Sequence, residues 1–267
     1  MDLTRRTLVG MLVALAGATA LAVGLQAHEG LDGNRSLYRY TVLRSGASPA
    51  CEYRYVELGS AGRTLSLDAS PGKEPDDGGA VLALERPFEL YQKRYPALVV
   101  SANGYLAAAD ALDEDDGGDF SNDCPLRRDA GEPGSRVERI YVYHDDLRPR
   151  RDGGGQVRHA YFPTCPRDGG GPQPEGCTVV EWNGFERSGP LLSTQPLRAQ
   201  AVLYHDTLQV AMQYASLDDS RAASATIGLQ GFGGRSASAA GCDAVDTVRA
   251  RQAVCFFDPR HPPRARR

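Results

Sequence analysis

Past about residue 27, the chain repeats one pattern: short runs of alternating apolar and polar side chains, separated by loops rich in Gly, Pro and Asp. Leu37–Arg44 (LYRYTVLR) and Glu52–Leu58 (EYRYVEL) show it most clearly. A period of two sends successive side chains to opposite faces, so each run can bury one face and wet the other. Similar β-prone runs follow at Ala80–Leu84, Phe88–Tyr91, Ala97–Ser101, Tyr105–Ala109, Val137–Tyr143, Val157–Phe162 and Thr178–Trp182. Leu197–Tyr204, Thr207–Tyr214, Ala223–Leu229 and Ala253–Phe257 complete the set. The only tempting helical window, Ala107–Leu112, is short. The pattern predicts an all-β fold, an antiparallel β-sandwich with long loops. One hairpin is predicted in detail. Leu197–Tyr204 and Thr207–Tyr214 flank a two-residue turn, His205-Asp206. Gln200, Val202 and Tyr204 should share one face, with Ala201 and Leu203 on the other.

The first residues read differently. Arg5 and Arg6 precede an uncharged, mostly apolar run from Thr7 to Ala27, and the next charge is Glu29. A basic start, an apolar stretch and small residues at the end are the marks of an export signal peptide. Thr4–Val9 fits the twin-arginine export pattern, and an ordinary secretory leader is the alternative. Cleavage could follow Ala22 or Ala27. An uncleaved leader would be the chain's membrane contact, since about 20 apolar residues span a bilayer. The expected organisation is thus residues 1–27 as leader, 28–36 as linker, 37–258 as one sandwich domain and 259–267 as a solvated basic Pro/Arg tail. The expected location is the periplasm or the extracellular space.

All six cysteines, Cys51, Cys124, Cys165, Cys177, Cys242 and Cys255, lie beyond the leader. An even number in an oxidising compartment suggests a disulfide framework. Zinc is the rival reading, and it lacks the closely spaced Cys or His pairs that zinc sites use. Short loops favour Cys165–Cys177 and Cys242–Cys255, which leaves Cys51–Cys124. The formal charge of -4 argues against a nucleic-acid partner.

Three stretches in order carry a family resemblance. The first runs from Leu84-Glu85-Arg86-Pro87-Phe88 to Ser101-Ala102-Asn103-Gly104-Tyr105-Leu106. The second is Ile140-Tyr141-Val142-Tyr143-His144-Asp145-Asp146-Leu147. The third begins at Val179-Val180-Glu181-Trp182-Asn183 and ends at Ala225-Thr226-Ile227-Gly228-Leu229-Gln230. Together they resemble a nidogen-like extracellular β domain of bacterial secreted and surface proteins. The resemblance spans roughly Leu82 to Gln230. It implies a β-sandwich used as an interaction module, and it brings no catalytic residues. The chain departs from the family pattern in its Cys165–Cys177 insert and its C-terminal cysteines. It also has His205-Asp206-Thr207 where the family usually has an acidic residue and Gly.

Candidate chemistry is sparse. His144-Asp145-Asp146 offers a His–carboxylate set, but neighbours on a strand point to opposite faces, so the simpler reading is a strand end and an acidic turn. Asp113, Asp115 and Asp119 crowd a loop with Gly117 and Gly118. Calcium favours several carboxylates on such a loop, and a solvated acidic loop is the alternative. No other cofactor is implied. Cleavage after Ala27 would make His28 the amino terminus, whose amine and imidazole can chelate copper. His144, His159 or His205 could then serve as a second ligand. No GxSxG motif is present, and Gly153–Gly155 and Gly169–Gly171 lack the Lys of a phosphate loop. The leading expectation is therefore an exported, non-enzymatic binding module for a protein or glycan. A secreted metal-dependent enzyme and a structural envelope protein are the alternatives. The long loops Asp110–Arg136 and Cys165–Cys177 are the expected binding surface.

Overall fold

The alternating runs become strands paired across two sheets. The structure, a computed structural model, describes residues 38–263 except 71, 75, 113–116, 122–123, 125, 127–136, 151, 153, 169–173, 190–192 and 235. In chain order the strands are β1 (Thr41–Arg44), β2 (Arg63–Leu65), β3 (Asp68–Ala69), β4 (Gly78–Leu90) and β5 (Lys93–Ser101). Next come β6 (Tyr105–Ala107), β7 (Arg139–His144), β8 (Leu147–Pro149), β9 (Gln156–Phe162) and β10 (Cys177–Arg187). The last are β11 (Leu197–Tyr204), β12 (Val210–Ser216), β13 (Thr226–Gln230), β14 (Ala237–Cys242) and β15 (Gln252–Phe257). The larger sheet runs β1-β15-β12-β11-β10-β9-β2, with β8 also on β10, and the smaller runs β14-β13-β7-β6-β5-β4-β3. The sheets bury a shared core that includes Trp182, Phe88, Phe185, Phe256, Tyr214 and Ile227. Two polar contacts join them through it. The Trp182 indole N–H donates to the Ser101 carbonyl at 2.8 Å, and the Tyr214 hydroxyl donates to the Val142 carbonyl at 2.8 Å. This is an all-β, antiparallel sandwich.

The alternation on β11 falls as expected: Ala201 and Leu203 face the central core, while Val202 and Tyr204 face outward. The outer face is nevertheless dry, because an extended strap, Cys51–Leu58, lies across it and buries Val56 and Leu58. That segment was expected to be a strand, and it joins neither sheet. Its alternation is real, but side chains take its hydrogen bonds. Val56 donates its N–H to Gln200 Oε1 (3.0 Å) and accepts from Gln200 Nε2 (3.1 Å). The Arg54 N–H donates to Gln213 Oε1 (2.6 Å). The outer face of the smaller sheet is covered in the same way. Leu126 and Leu112 pack there on Val99, Tyr105 and Tyr141.

Two expected disulfides are corrected. Cys165–Cys177 is present, but Cys51 pairs with Cys255 and Cys124 with Cys242, at Cα separations of 5.7 and 5.9 Å. Cys242 ends β14 and Cys255 lies in β15, so these neighbours in sequence belong to different sheets. Each pairs instead with the segment covering its own sheet. The His205-Asp206 turn is also corrected. Leu203 pairs with Val210, and the Tyr204 N–H donates to the Gln209 carbonyl, so the connection is longer and carries Leu208 at φ 58°. In the segment expected to be a solvated tail, Pro259, Arg260, His261 and Pro262 are exposed. Arg260 is held by Asp258 (2.9 Å) and Glu89 (2.7 Å).

Candidate functional site

An open polar depression lies where β1 passes into the strap and β15 begins. It measures about 560 Å³ and is lined by Ser45, Gly46, Glu52, Tyr53 and the turn Arg249–Gln252. Each wall is fixed by local bonding. Ser45 and Ala253 exchange two bonds: Ser45 N–H to the Ala253 carbonyl, and Ala253 N–H to Ser45 Oγ, both 2.9 Å. Ser45 therefore uses an acceptor lone pair inside the fold and keeps its hydroxyl proton for another partner. Gly46 turns the chain at φ 84°, a conformation that suits glycine. The Cys51–Cys255 bridge holds the strap's start against β15, which sets Glu52 and Tyr53 beside the turn.

The turn itself is braced from below. Val248 is fully buried, and the Arg44 guanidinium donates to the carbonyls of Thr247 and Ala240. The Arg249 N–H donates to Gln252 Oε1 (2.9 Å), and the Arg251 N–H donates to the Tyr214 carbonyl (2.7 Å). Arg251 sits at φ 60°, in the left-handed region that disfavours a residue with a Cβ. The backbone is thus held while the side chains of Arg249 and Arg251 project into solvent. Neither guanidinium has a hydrogen-bond or ion-pair partner among the described residues. The nearby acids are engaged: Glu52 by Arg54 at 2.6 Å, and Asp246 by Arg221. Burial raises the Tyr53 phenol above its usual range, and the charges of Arg251 and Arg198 oppose that rise. The lining is rich in donors and carries a net positive charge, so it can hold an anionic, oxygen-rich ligand.

The residues singled out by sequence have other duties. The motif pairs Asn103-Gly104 and His144–Leu147 meet in one buried junction. Asn103 Nδ2 donates to Asp77 (2.9 Å), its Oδ1 accepts from the Leu147 N–H (2.9 Å), and its carbonyl lies 3.0 Å from His144 Nδ1. The His144 ring packs on Tyr105 and Tyr141, with centroids 4.9 and 5.1 Å away. Asp145 accepts from Ser224 (2.7 Å) and Arg187 (3.4 Å), and burial lifts its carboxyl above the usual range. Burial also lifts Asp146, helped by the charges of Asp77, Asp76 and Asp145. His205 contacts Thr178 through Nε2 (2.9 Å) and packs edge-on to Phe88 and Tyr161. His159 lies on β9 opposite Arg63, and burial lowers its pKa, as it does that of His205.

Of the expected calcium ligands, Asp113 and Asp115 lie outside the described residues, as does His28. Asp119 is committed: Oδ2 meets Arg139 Nη1 at 2.5 Å, and Oδ1 accepts from the N–H and hydroxyl of Ser121. Among the described residues, no group of three His, Cys, Asp or Glu side chains is placed to hold a metal ion. The described start of the Cys165–Cys177 loop packs inward. Its Arg167 is buried and donates to Tyr204 Oη (3.2 Å) and the Glu52 carbonyl (2.7 Å). Sequence reading passed over Arg249 and Arg251. Their one signal is a pair of arginines two residues apart just before the last apolar run.

A family profile described as NIDO related matches residues 49–254. No curated protein and no solved structure matches the chain. The matched span runs from just before the strap cysteine Cys51 into β15, and so takes in both sheets and most of the depression's lining. By that match over most of its length, the chain belongs to the NIDO-related, that is nidogen-related, family.

Proposed function

We propose that this protein is exported through its first 27 residues and acts outside the cytoplasm as a binding module without catalysis of its own. A nidogen-related domain with three disulfides is in keeping with an extracellular or exported interaction protein. The observation that carries the reading is how the reactive side chains are used. His144, Asp145 and Asp119 are buried and bonded within the fold, while Arg249 and Arg251 stand exposed around a polar depression, with no partner among the described residues. Groups that bind are thus presented, and groups that would transfer protons are enclosed. Binding falls to this end of the sandwich rather than to the Cys165–Cys177 loop, whose Arg167 is used internally. The test is to express the full chain with its leader, recover the protein from outside the cytoplasm, and assay it for ligand capture and for turnover of polysaccharide, peptide and ester substrates. Capture without turnover is expected. Turnover that disappears with His205→Ala or His144→Ala would replace the binding reading with an enzymatic one. Retention in the cytoplasm would remove the export claim.

A further inference from the structure

The geometry points to the ligand class of the depression beside Arg249 and Arg251: an acidic saccharide, a sugar bearing a carboxylate or sulfate. The inference rests on the binding-module reading above. Three features of the lining select this chemistry. First, the charge is basic and available. Arg249 and Arg251 have no partner among the described residues, and the competing carboxylates of Glu52 and Asp246 already hold Arg54 and Arg221. Planar guanidinium groups match carboxylate and sulfate oxygens in geometry as well as in sign.

Second, the remaining lining suits hydroxyl-rich rings. The Ser45 hydroxyl keeps its proton, the Gln252 side chain adds an amide, and the half-buried Tyr53 offers a ring whose neighbour Tyr55 is 6.3 Å away. A phenol combines an apolar face with a polar tip, which suits the mixed surface of a sugar. Third, the strand that begins in the lining offers side chains and no edge. β15, which begins at Gln252, is paired on one side with β1 and on the other with β12. It has no free edge for an added strand, so it can read a ligand only through side chains.

The test uses the exported full-length protein and calorimetric titration at low salt. The probes are tetragalacturonate and a heparin tetrasaccharide. The comparators are uncharged cellotetraose, an acidic tetrapeptide of glutamate and inorganic sulfate. Either acidic saccharide should bind, more weakly as salt is raised, and the Arg249→Gln, Arg251→Gln double variant should lose affinity about tenfold or more. Tyr53→Ala should weaken the saccharide and leave sulfate unaffected. The melting temperature of the double variant should match the parent, since both side chains are exposed. Failure of both acidic saccharides to bind would overturn the proposal, as would equal binding of cellotetraose, the glutamate peptide or bare sulfate. Saccharide binding that is undiminished in the double variant would refute this site and leave the binding-module reading intact. Cleavage of the bound saccharide would refute that reading itself.

Discussion

Gly104 shows most directly what a single residue does here. It has φ 75°, and a Cβ at this position would lie 2.1 Å from the Tyr143 carbonyl oxygen. Its own carbonyl accepts from both Val142 and Tyr143. Gly104→Ala is therefore expected to cost at least about 2 kcal/mol, a fall of roughly 5 °C in melting temperature, because left-handed strain adds to a backbone clash. A melting curve within a degree of the parent would contradict this account of the turn. Asp119 is a second case. It is buried against the buried Arg139, so Asp119→Asn removes a charge-assisted bond from a buried cation and should cost about 2 kcal/mol. The loss should be the same in millimolar calcium and in chelator. A loss seen only with calcium present would return Asp119 to the calcium-site reading.

His205 supplies a pH effect at the same scale. Burial lowers its pKa below the ordinary value of about 6.5, so the unfolded chain takes up the proton first. Its contribution is complete above that value and is lost as pH falls through it towards the lower folded pKa. Asp145 works in the opposite sense, since burial raises its pKa and favours the protonated fold in acid. The two overlap, so comparison with a variant is needed to isolate the imidazole. Between pH 7.5 and 5.5, the melting temperature of His205→Gln should fall less than that of the parent. Parallel curves would show that His205 accepts its proton within the fold.

At the scale of elements, the molecule depends on the segments laid across its sheets. The strap Cys51–Leu58 gains no ladder bonds and is held by side chains, among them Gln200, Gln213, Arg167, Glu181 and Arg198, and by one disulfide. Gln200→Leu would leave the Val56 N–H and carbonyl buried without partners, at a cost of about 2 kcal/mol. Local opening should exceed global unfolding, because the strap's contacts are few beside those of the sheets. Trypsin should then cut after Arg54 in the variant well before it cuts the sheets. Equal resistance in variant and parent would show that the apolar contacts of Val56 and Leu58 suffice to hold the strap. The expectation of a strand here was half right. Alternation reports which side chains are buried, but it cannot tell whether a backbone partner is another strand or a pair of glutamines.

For the whole molecule, the disulfides set how the covers and sheets stay together. Cys51–Cys255 spans 204 residues and Cys165–Cys177 spans 12. In the chain-entropy account the long closure contributes about 5 kcal/mol and the short one about 3. Replacing Cys51 and Cys255 by Ala should thus lower the melting temperature more than replacing Cys165 and Cys177. The reverse order would mean that local packing, not closure of the long loop, governs the effect. At this scale the depression also takes shape: it lies where the Cys51–Cys255 bridge holds the strap beside the turn before β15.

Sequence by itself determined what depends on short-range periodicity. The two faces of β11 and the local Cys165–Cys177 bridge follow from side-chain alternation and short loop length, and Trp182 and Asn103-Gly104, which helped carry the resemblance, lie in the core and at a turn. The family resemblance rested on these same core and turn residues, which is why it identified the fold and not a ligand. Tertiary structure decided what depends on distance through space. Cys242 and Cys255 are neighbours in sequence, but they go to different sheets and take partners more than a hundred residues away. Asp119 could be read from sequence as a calcium ligand or as part of a solvated acidic loop, and its contact with Arg139 appears only in the fold. Arg249 and Arg251 carried no motif. Their prominence comes from having no partner among the described residues while Glu52 and Asp246 hold other arginines, and only the folded arrangement of charges decides that.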